Sequence, residues 1–436
     1  MANQPSPAVA DRARHRIALR LLPYLFVLYI IAFLDRTNIS SAALEIPREL
    51  GFSDNVIGVG SGIFFIGYLL LEIPGAVIVE RWSARRWIAR IMVTWGLVTV
   101  WMAFIHTPRQ FCTVRFLLGA AEAGFFPGII VYLTHWFPAQ DRAKAVANFM
   151  AAIPISQILG APLAGWLLGV HWHGLSGWRW LFILEGIPAV LFGVITYFYL
   201  TDRPHQAHWL PVEEQNWITT QLEKERHTKR FAPSISFFQA IVRREVIILT
   251  FIYFVQVVAA FGFLFWLPTM VKRLSGLSNP KVLLIAALPY LFAFVTMQVN
   301  GWHSDRTRER RWHAAITLLL SAVGLAPLVF LNLGSVPTMV LFTFVVGSVM
   351  AFLPCFWPMP ADLLCGSTAA ATIGLINSIG LLGGFAGPAL MGYFATRTHS
   401  FKTSFACMMV ALALGGVLTL TLHTNTSAPA TNTSTS

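Results

Sequence analysis

Charged side chains are scarce in this sequence. Lys, Arg, Asp and Glu together supply 11% of its 436 residues, less than half of the roughly 25% that keeps a soluble domain wet. A large soluble enzyme is therefore excluded, and so is a disordered chain. Cysteine is scarce as well. Cys112, Cys355, Cys365 and Cys407 lie in or beside apolar segments with no CxxC spacing, so neither a disulfide framework nor a zinc site is expected. Long polar regions are also missing. Residues 201–244 form the one extended polar stretch, too short for a catalytic or sensory domain, and 424–436 read as a small polar disordered tail. The opening MANQPSPAVADRARHR is too polar for the core of a cleaved signal peptide, and the apolar run after it is too long.

What fills the chain instead is apolar: 56% of residues, with mean hydropathy +0.65. Segments near 20 residues long, each sufficient to cross ~30 Å of hydrocarbon, fall at about 21–43, 56–79, 87–106, 111–135, 144–169 and 179–200. Six more fall at about 245–271, 282–301, 313–332, 337–357, 368–393 and 403–423. The expected fold is an all-α membrane protein of twelve transmembrane helices in two six-helix bundles, residues 1–200 and 245–423. The 201–244 linker joins them, and its PVEEQNWITTQLEKER reads as a surface helix with acids at its start and bases at its end.

Of the Lys and Arg residues outside the spans, 21 fall on the side of the termini and the linker and eight on the other. The positive-inside rule places the termini and linker in the cytoplasm, so the net charge of +12 reports topology and not nucleic-acid binding. The two halves repeat one another. Glu80-Arg81-x-x-x-Arg85-Arg86-Trp87 recurs as Asp305-Arg306-x-x-x-Arg310-Arg311-Trp312 at an offset of 225, and Pro162 recurs as Pro388 at 226. Carriers built from two such repeats hold their site near the bilayer midplane, where the halves meet.

Two cations, Arg36 and Arg115, lie inside apolar spans with the acids Asp35 and Glu122 beside them. A charge at a helix centre costs roughly 2.5–3.5 kcal/mol or more unless paired or wetted. Arg115 and Glu122 are seven residues apart, about two helical turns, and project from one face of the fourth span. Packing of spans one and four would gather all four charges around one polar chamber. A guanidinium there suits an organic carboxylate, because its planar fork donates two parallel hydrogen bonds. Tyr68, Gln157, Gln256, Trp357 and Asn377 are the further polar groups placed to complete a pocket.

The sequence resembles the major facilitator superfamily, and within it the anion:cation symporter family, in the branch of tartrate, hydroxyphenylacetate and nicotinate permeases. The strings that carry the resemblance are FLDRTNIS (33–40), ERWSARRWIARIMVTWG (80–96), RFLLGAAEAGFFPG (115–128), GWRWLFILEGIPA (177–189), FWLPTMVKRLSGLSN (265–279), GWHSDRTRERRWH (301–313) and GLINSIGLLGGFAGP (374–388). Ser83 stands where the gating motif of that family has Gly.

The resemblance implies that Arg36 binds the substrate carboxylate, that Arg115 pairs with Asp35, and that Asp35 and Glu122 take up the coupled proton. It implies that Tyr68, Trp357 and Asn377 wall the pocket. Glu80, Arg81, Arg85 and Arg86, with Asp305, Arg306, Arg310 and Arg311, would form the cytoplasmic gate. The expectation is a monomeric, proton-coupled importer of a small organic anion in a bacterial inner membrane. It needs no cofactor or metal, has no catalytic residue, and takes protons and the lipid bilayer as its other partners. An efflux antiporter is the rival reading, on the span-5 string Gly160-Ala-Pro162-Leu-Ala-Gly165.

Overall fold

A computed structural model describes residues 7–229, 243–363 and 368–422. The 424–436 tail and Cys365 lie outside the described residues, as do the side chains of Glu80 and Arg81. The first half holds α1 (Pro7–Ala42), α2 (Asp54–Arg81), α3 (Ala84–Met102), α4 (Pro108–Glu122 and Phe125–Thr134), α5 (Ala139–Met150 and Ala152–Leu167) and α6 (Gly177–Tyr199). The second holds α7 (Arg244–Ser275), α8 (Asn279–Thr307), α9 (Arg311–Phe330) and α10 (Ser335–Ala351, Leu353–Phe356 and Pro358–Leu363). It ends with α11 (Thr368–Gly380 and Leu382–Thr398) and α12 (Lys402–Leu420). Eleven of these have the length and apolarity to cross a membrane. The twelfth, α3, carries Arg85, Arg86 and Arg90 in its first turns and packs along α6.

Two differences from the expected spans have clear causes. Helix α1 begins at Pro7 rather than near residue 21. Val9, Ala13, Ile17 and Leu21 recur every four residues and are buried, so this polar-looking stretch is an amphipathic extension with one apolar stripe. It packs against the linker helix Val212–Lys229, whose Trp217, Ile218 and Leu222 are buried. Arg12 and Arg16 meet the buried Glu214 of that helix at 3.9 and 3.5 Å. Helix α4 breaks directly after Glu122, where Gly124 adopts φ +84° and lies against the backbone of Gly75. Only glycine takes that conformation at no steric cost.

The ends carrying the termini define one face of the bundle; the opposite face is called distal below. At the distal face the short helix Ile46–Leu50 is tied to α6. Glu49 accepts from Trp178 Nε1 at 2.5 Å and from Arg179 Nε and Nη2 at 3.1 and 3.0 Å, while Arg179 Nη1 donates to the Ala103 carbonyl at 2.5 Å. Burial works against the Glu49 charge, but the donors Ser176, Trp178 and Arg179 outweigh it and hold the carboxyl below its usual range. A group lowered in this way stabilises the fold above its unfolded pKa, ~4.3 for Glu, and the contribution fades as pH falls through the lower folded value. Thermal melts of the wild type and Glu49→Gln should differ most at neutral pH and converge on acidification; a gap that widened toward acid would refute the clamp.

Bonds between the halves gather toward the distal face. Arg273 pairs with Asp54 at 2.5 Å, the Asn55 amide donates to Thr396 Oγ1 at 2.8 Å, and Asn279 Nδ2 donates to Glu45 at 3.1 Å. Helices α2 and α11 cross backbone to backbone: a Cβ on Gly58 would lie 2.5 Å from the Pro388 carbonyl oxygen, and one on Gly62 2.6 Å from that of Phe385. Deeper in, Phe65 packs edge-on to Phe261 of α7 at 4.6 Å.

Candidate functional site

The four intramembrane charges do converge, but they divide into two groups. Asp35 and Arg36 are neighbours on α1, so their side chains diverge by ~100°. Arg36 turns to the interface and forms an ion pair and hydrogen bond with Glu122 of α4. Its guanidinium also sits over three aromatic faces, Phe33 at 5.1 Å, Tyr68 at 5.4 Å and Phe64 at 5.5 Å. Glu122 is 1% exposed, and its Oε2 has no hydrogen-bond partner. A cation between ring faces beside a half-satisfied carboxylate is a grip that another carboxylate can take over.

Among the described residues, Arg115 forms no direct ion pair with Asp35, the pairing that the family resemblance implied. It is fully buried; Nε donates to the Gly60 carbonyl at 3.2 Å and Nη2 to that of Ser61 at 3.4 Å, and the Phe64 ring lies 5.1 Å from its Cζ. The seven-residue spacing put Arg115 and Glu122 on one face, but their distance along the axis leaves Arg115 facing the carbonyls of α2. Asp35 lies beside Thr99 of α3 and accepts from Asn38 Nδ2 at 3.3 Å, with the Arg115 and Arg36 charges acting on it without forming an ion pair.

The remaining pocket candidates also separate. Tyr68 is buried beside Arg36. Trp357 packs edge-on to Tyr253 at 4.9 Å, and Tyr253 Oη donates to Asn377 Oδ1 at 3.5 Å. Asn377 Nδ2 donates to Glu72 of α2 at 3.2 Å, and Ser378 Oγ to the same carboxylate at 3.4 Å. Glu72 thus links the halves, and the Arg36 charge acts on it as well. Gln256 is not a wall residue in this arrangement: its Nε2 donates to the Val349 carbonyl at 3.1 Å, clasping α7 to α10. Gln157 lines a different, more distal cavity. Tyr253 escaped the sequence reading because nothing in its apolar run IYFVQ marks it, whereas Glu72 was visible as an acid inside a span.

At the terminal face, Asp202 at the start of the linker organises the first gate loop. It accepts from Ser83 Oγ at 2.7 Å and from the Arg85 amide at 2.8 Å, while Ser83 caps α3 through the Arg86 amide at 3.2 Å. The serine that departs from the family motif therefore holds the loop to the linker. In the second loop Asp305 pairs with Arg310 at 3.2 Å, Arg306 sits over Trp302 at 5.5 Å, and Arg311 Nη1 donates to the Leu422 carbonyl at 3.1 Å.

Two repeated six-helix halves, with buried charges where they meet, define a membrane transporter rather than an enzyme. The Major Facilitator Superfamily model matches residues 25–388 and 276–435, and the chain belongs to that family. It is 44% identical to a protein of Agrobacterium vitis named for tartrate transport, over 94% of each chain. It is 34% identical to the quinolone resistance transporter of Acinetobacter baumannii, over 93% of this chain and 94% of that one. The fold matches the xylose transporter XylE from E. coli with TM-score 0.72 at 16% identity, covering 92% of this chain and 97% of the other.

Proposed function

We propose that this protein imports a small organic carboxylate together with protons across a bacterial inner membrane, by alternating access. The observation that carries the reading is the Arg36–Glu122 pair enclosed by Phe33, Phe64 and Tyr68. Protonation of Glu122 frees the guanidinium, and an arriving carboxylate takes its place, so proton and anion enter with little change in buried charge. Asp35 is the second acid in reach, and Arg115, anchored on α2, holds the local potential positive. Tyr68 beside Arg36 supplies a hydroxyl from the first half, and Asn377 and Trp357, both against Tyr253, supply an amide and an aromatic face from the second. The name of the 44%-identical relative supports a hydroxy-dicarboxylate such as tartrate.

The charge bias between loops puts the termini in the cytoplasm. With that orientation, the tight distal contacts lie on the outer side and close it. The gate loops that carry Glu80, Arg85 and Arg86, and Asp305, Arg310 and Arg311, would latch the halves together in the opposite state. In proteoliposomes, wild-type uptake of labelled tartrate, galactonate and nicotinate should include one acid whose accumulation follows an imposed pH gradient. Glu122→Gln should lose that accumulation yet keep exchange of labelled for unlabelled acid. Wild-type uptake that ignored a collapsed gradient would end the reading. Drug export is the second reading, favoured by the 34%-identical quinolone resistance transporter; efflux of fluorescent lipophilic cations by the wild type, without carboxylate uptake, would establish it instead.

A further inference from the structure

A second buried acid lies away from the Arg36–Glu122 pair. Glu185 of α6 is 7% exposed, its Oε2 has no hydrogen-bond partner, and it forms no ion pair among the described residues. Asn38 stands between it and Asp35. Its Nδ2 bonds Asp35 Oδ1 at 3.3 Å, and the same side chain faces the Glu185 carboxyl. Asn38 and Glu185 line a cavity of about 30 Å³ between α1, α5 and α6 of the first half and α7 and α8 of the second. Gln157 of α5 and Tyr290 of α8 line it too. Four polar atoms of these residues are buried and unsatisfied: Asn38 Oδ1, Gln157 Nε2, Glu185 Oε2 and Tyr290 Oη.

A space of that size with two to four polar partners holds a water molecule. A water there would supply the donors and acceptors that these atoms lack, across the boundary between the halves. The charged group acting on Glu185 is Asp35 from α1, which itself feels Glu122, Arg115 and Arg36, while Tyr290 of α8 lines the same cavity. Among the described residues, the α5 lining has one polar side chain, Gln157, and α3, packed against α6 on the other side, presents Gly96 and Val100. Two carboxylates close together with no cation in contact cannot both hold a charge in such surroundings at modest cost.

We propose that Glu185 is a proton-carrying site coupled to Asp35, exchanging its proton through cavity water held by Gln157 and Tyr290. The transfer is a simple exchange: the Glu185 O–H bond breaks as a water O–H bond forms, and the reverse on reloading. Asn38 positions both acids and does not itself carry the proton. Because the cavity has walls from both halves, alternation opens and closes it, so the proton is exchanged only in one state. This inference rests on the proton-coupled reading above.

The test uses the full-length protein in two measurements. Difference infrared spectroscopy of purified protein between pH 5 and 9 reads protonated carboxyl groups with no substrate present. Glu185→Gln should remove one carboxylic-acid band, and Tyr290→Phe, which keeps the fold if the glutamine variant does not, should shift its frequency. In proteoliposomes, Glu185→Gln should slow gradient-driven tartrate uptake about tenfold while exchange stays within twofold of wild type. Unchanged infrared bands in both variants would overturn the proposal, as would wild-type uptake in Glu185→Gln when the wild type itself follows the gradient. A wild type that ignores the gradient would instead sink the coupled reading, leaving the infrared result to decide whether Glu185 holds a proton.

Discussion

Arg36→Ala should abolish carboxylate transport in both directions, with binding weakened about 25-fold or more. The expectation follows from what the guanidinium does: it lies 11% exposed, bonded to Glu122 and flanked by Phe33, Phe64 and Tyr68. Truncating one partner of a buried, hydrogen-bonded charge pair costs about 2–5 kcal/mol, and every 1.4 kcal/mol is tenfold in affinity. Arg36→Lys keeps the charge but loses the planar fork and most of the stacking, so it should bind about tenfold more weakly than wild type. The single alanine variant strands Glu122 in an apolar interior, so its failure is open to a trivial explanation. The double variant Arg36→Ala with Glu122→Gln removes the stranded charge and should recover expression and thermal stability without recovering binding. Thermal shift against a panel of carboxylates, read beside exchange kinetics, separates the two effects. Wild-type affinity in a well-folded double variant would mean that the anion binds elsewhere, and Arg115, buried beside the same aromatic ring, would then be the cation to test next.

The parts of this molecule that were legible in its sequence are those where hydrocarbon sets the rules. A span must be about 20 apolar residues long, so helices show directly, and a charge inside one is costly enough that Asp35, Arg36, Arg115 and Glu122 stand out. The duplication of Glu80–Trp87 as Asp305–Trp312 was legible for the same reason, against so few charged residues. Partner assignment was not. Rotation about a helix axis fixes which face a residue occupies, but not whether Arg115 finds a carboxylate or the carbonyls of Gly60 and Ser61. The pairing with Asp35 that the family resemblance implied is present as a charge interaction without a direct ion pair. Contacts contributed by the second half, such as Tyr253 and Asn377 closing on Glu72, depend on how two bundles dock, and no local pattern in either bundle encodes that. Asp202 was missed because one acid in a polar linker carries no signal until the Ser83 turn is seen to lie against it.

Gly58→Val should stop the transport cycle without disturbing the Arg36 site. A Cβ at this position would sit 2.5 Å from the Pro388 carbonyl oxygen and 3.0 Å from the Gly392 Cα, and both obstacles are backbone. Neither can rotate away as a side chain would, so α2 and α11 must part and the distal closure is lost. Overpacking of this kind costs about 1–3 kcal/mol, which shifts a two-state balance roughly 5- to 150-fold away from the closed outer side. The salt bridge between Asp54 and Arg273 at the same face cannot compensate, because it is partly exposed and such pairs contribute little. With all four native cysteines replaced and Asn55→Cys introduced, a membrane-impermeant maleimide should label the Gly58→Val protein at least tenfold faster than its Gly58 parent. Carboxylate binding measured in detergent should stay close to wild type, since residue 58 lies more than two helical turns from Tyr68 along α2, whereas net uptake and exchange should both fall to background. Unchanged labelling with normal exchange would show that the glycine contact is incidental to closure. Faster labelling with exchange intact would show that the cycle does not pass through the closed contact at all, and the alternating-access geometry would have to be drawn around a different pair of helices.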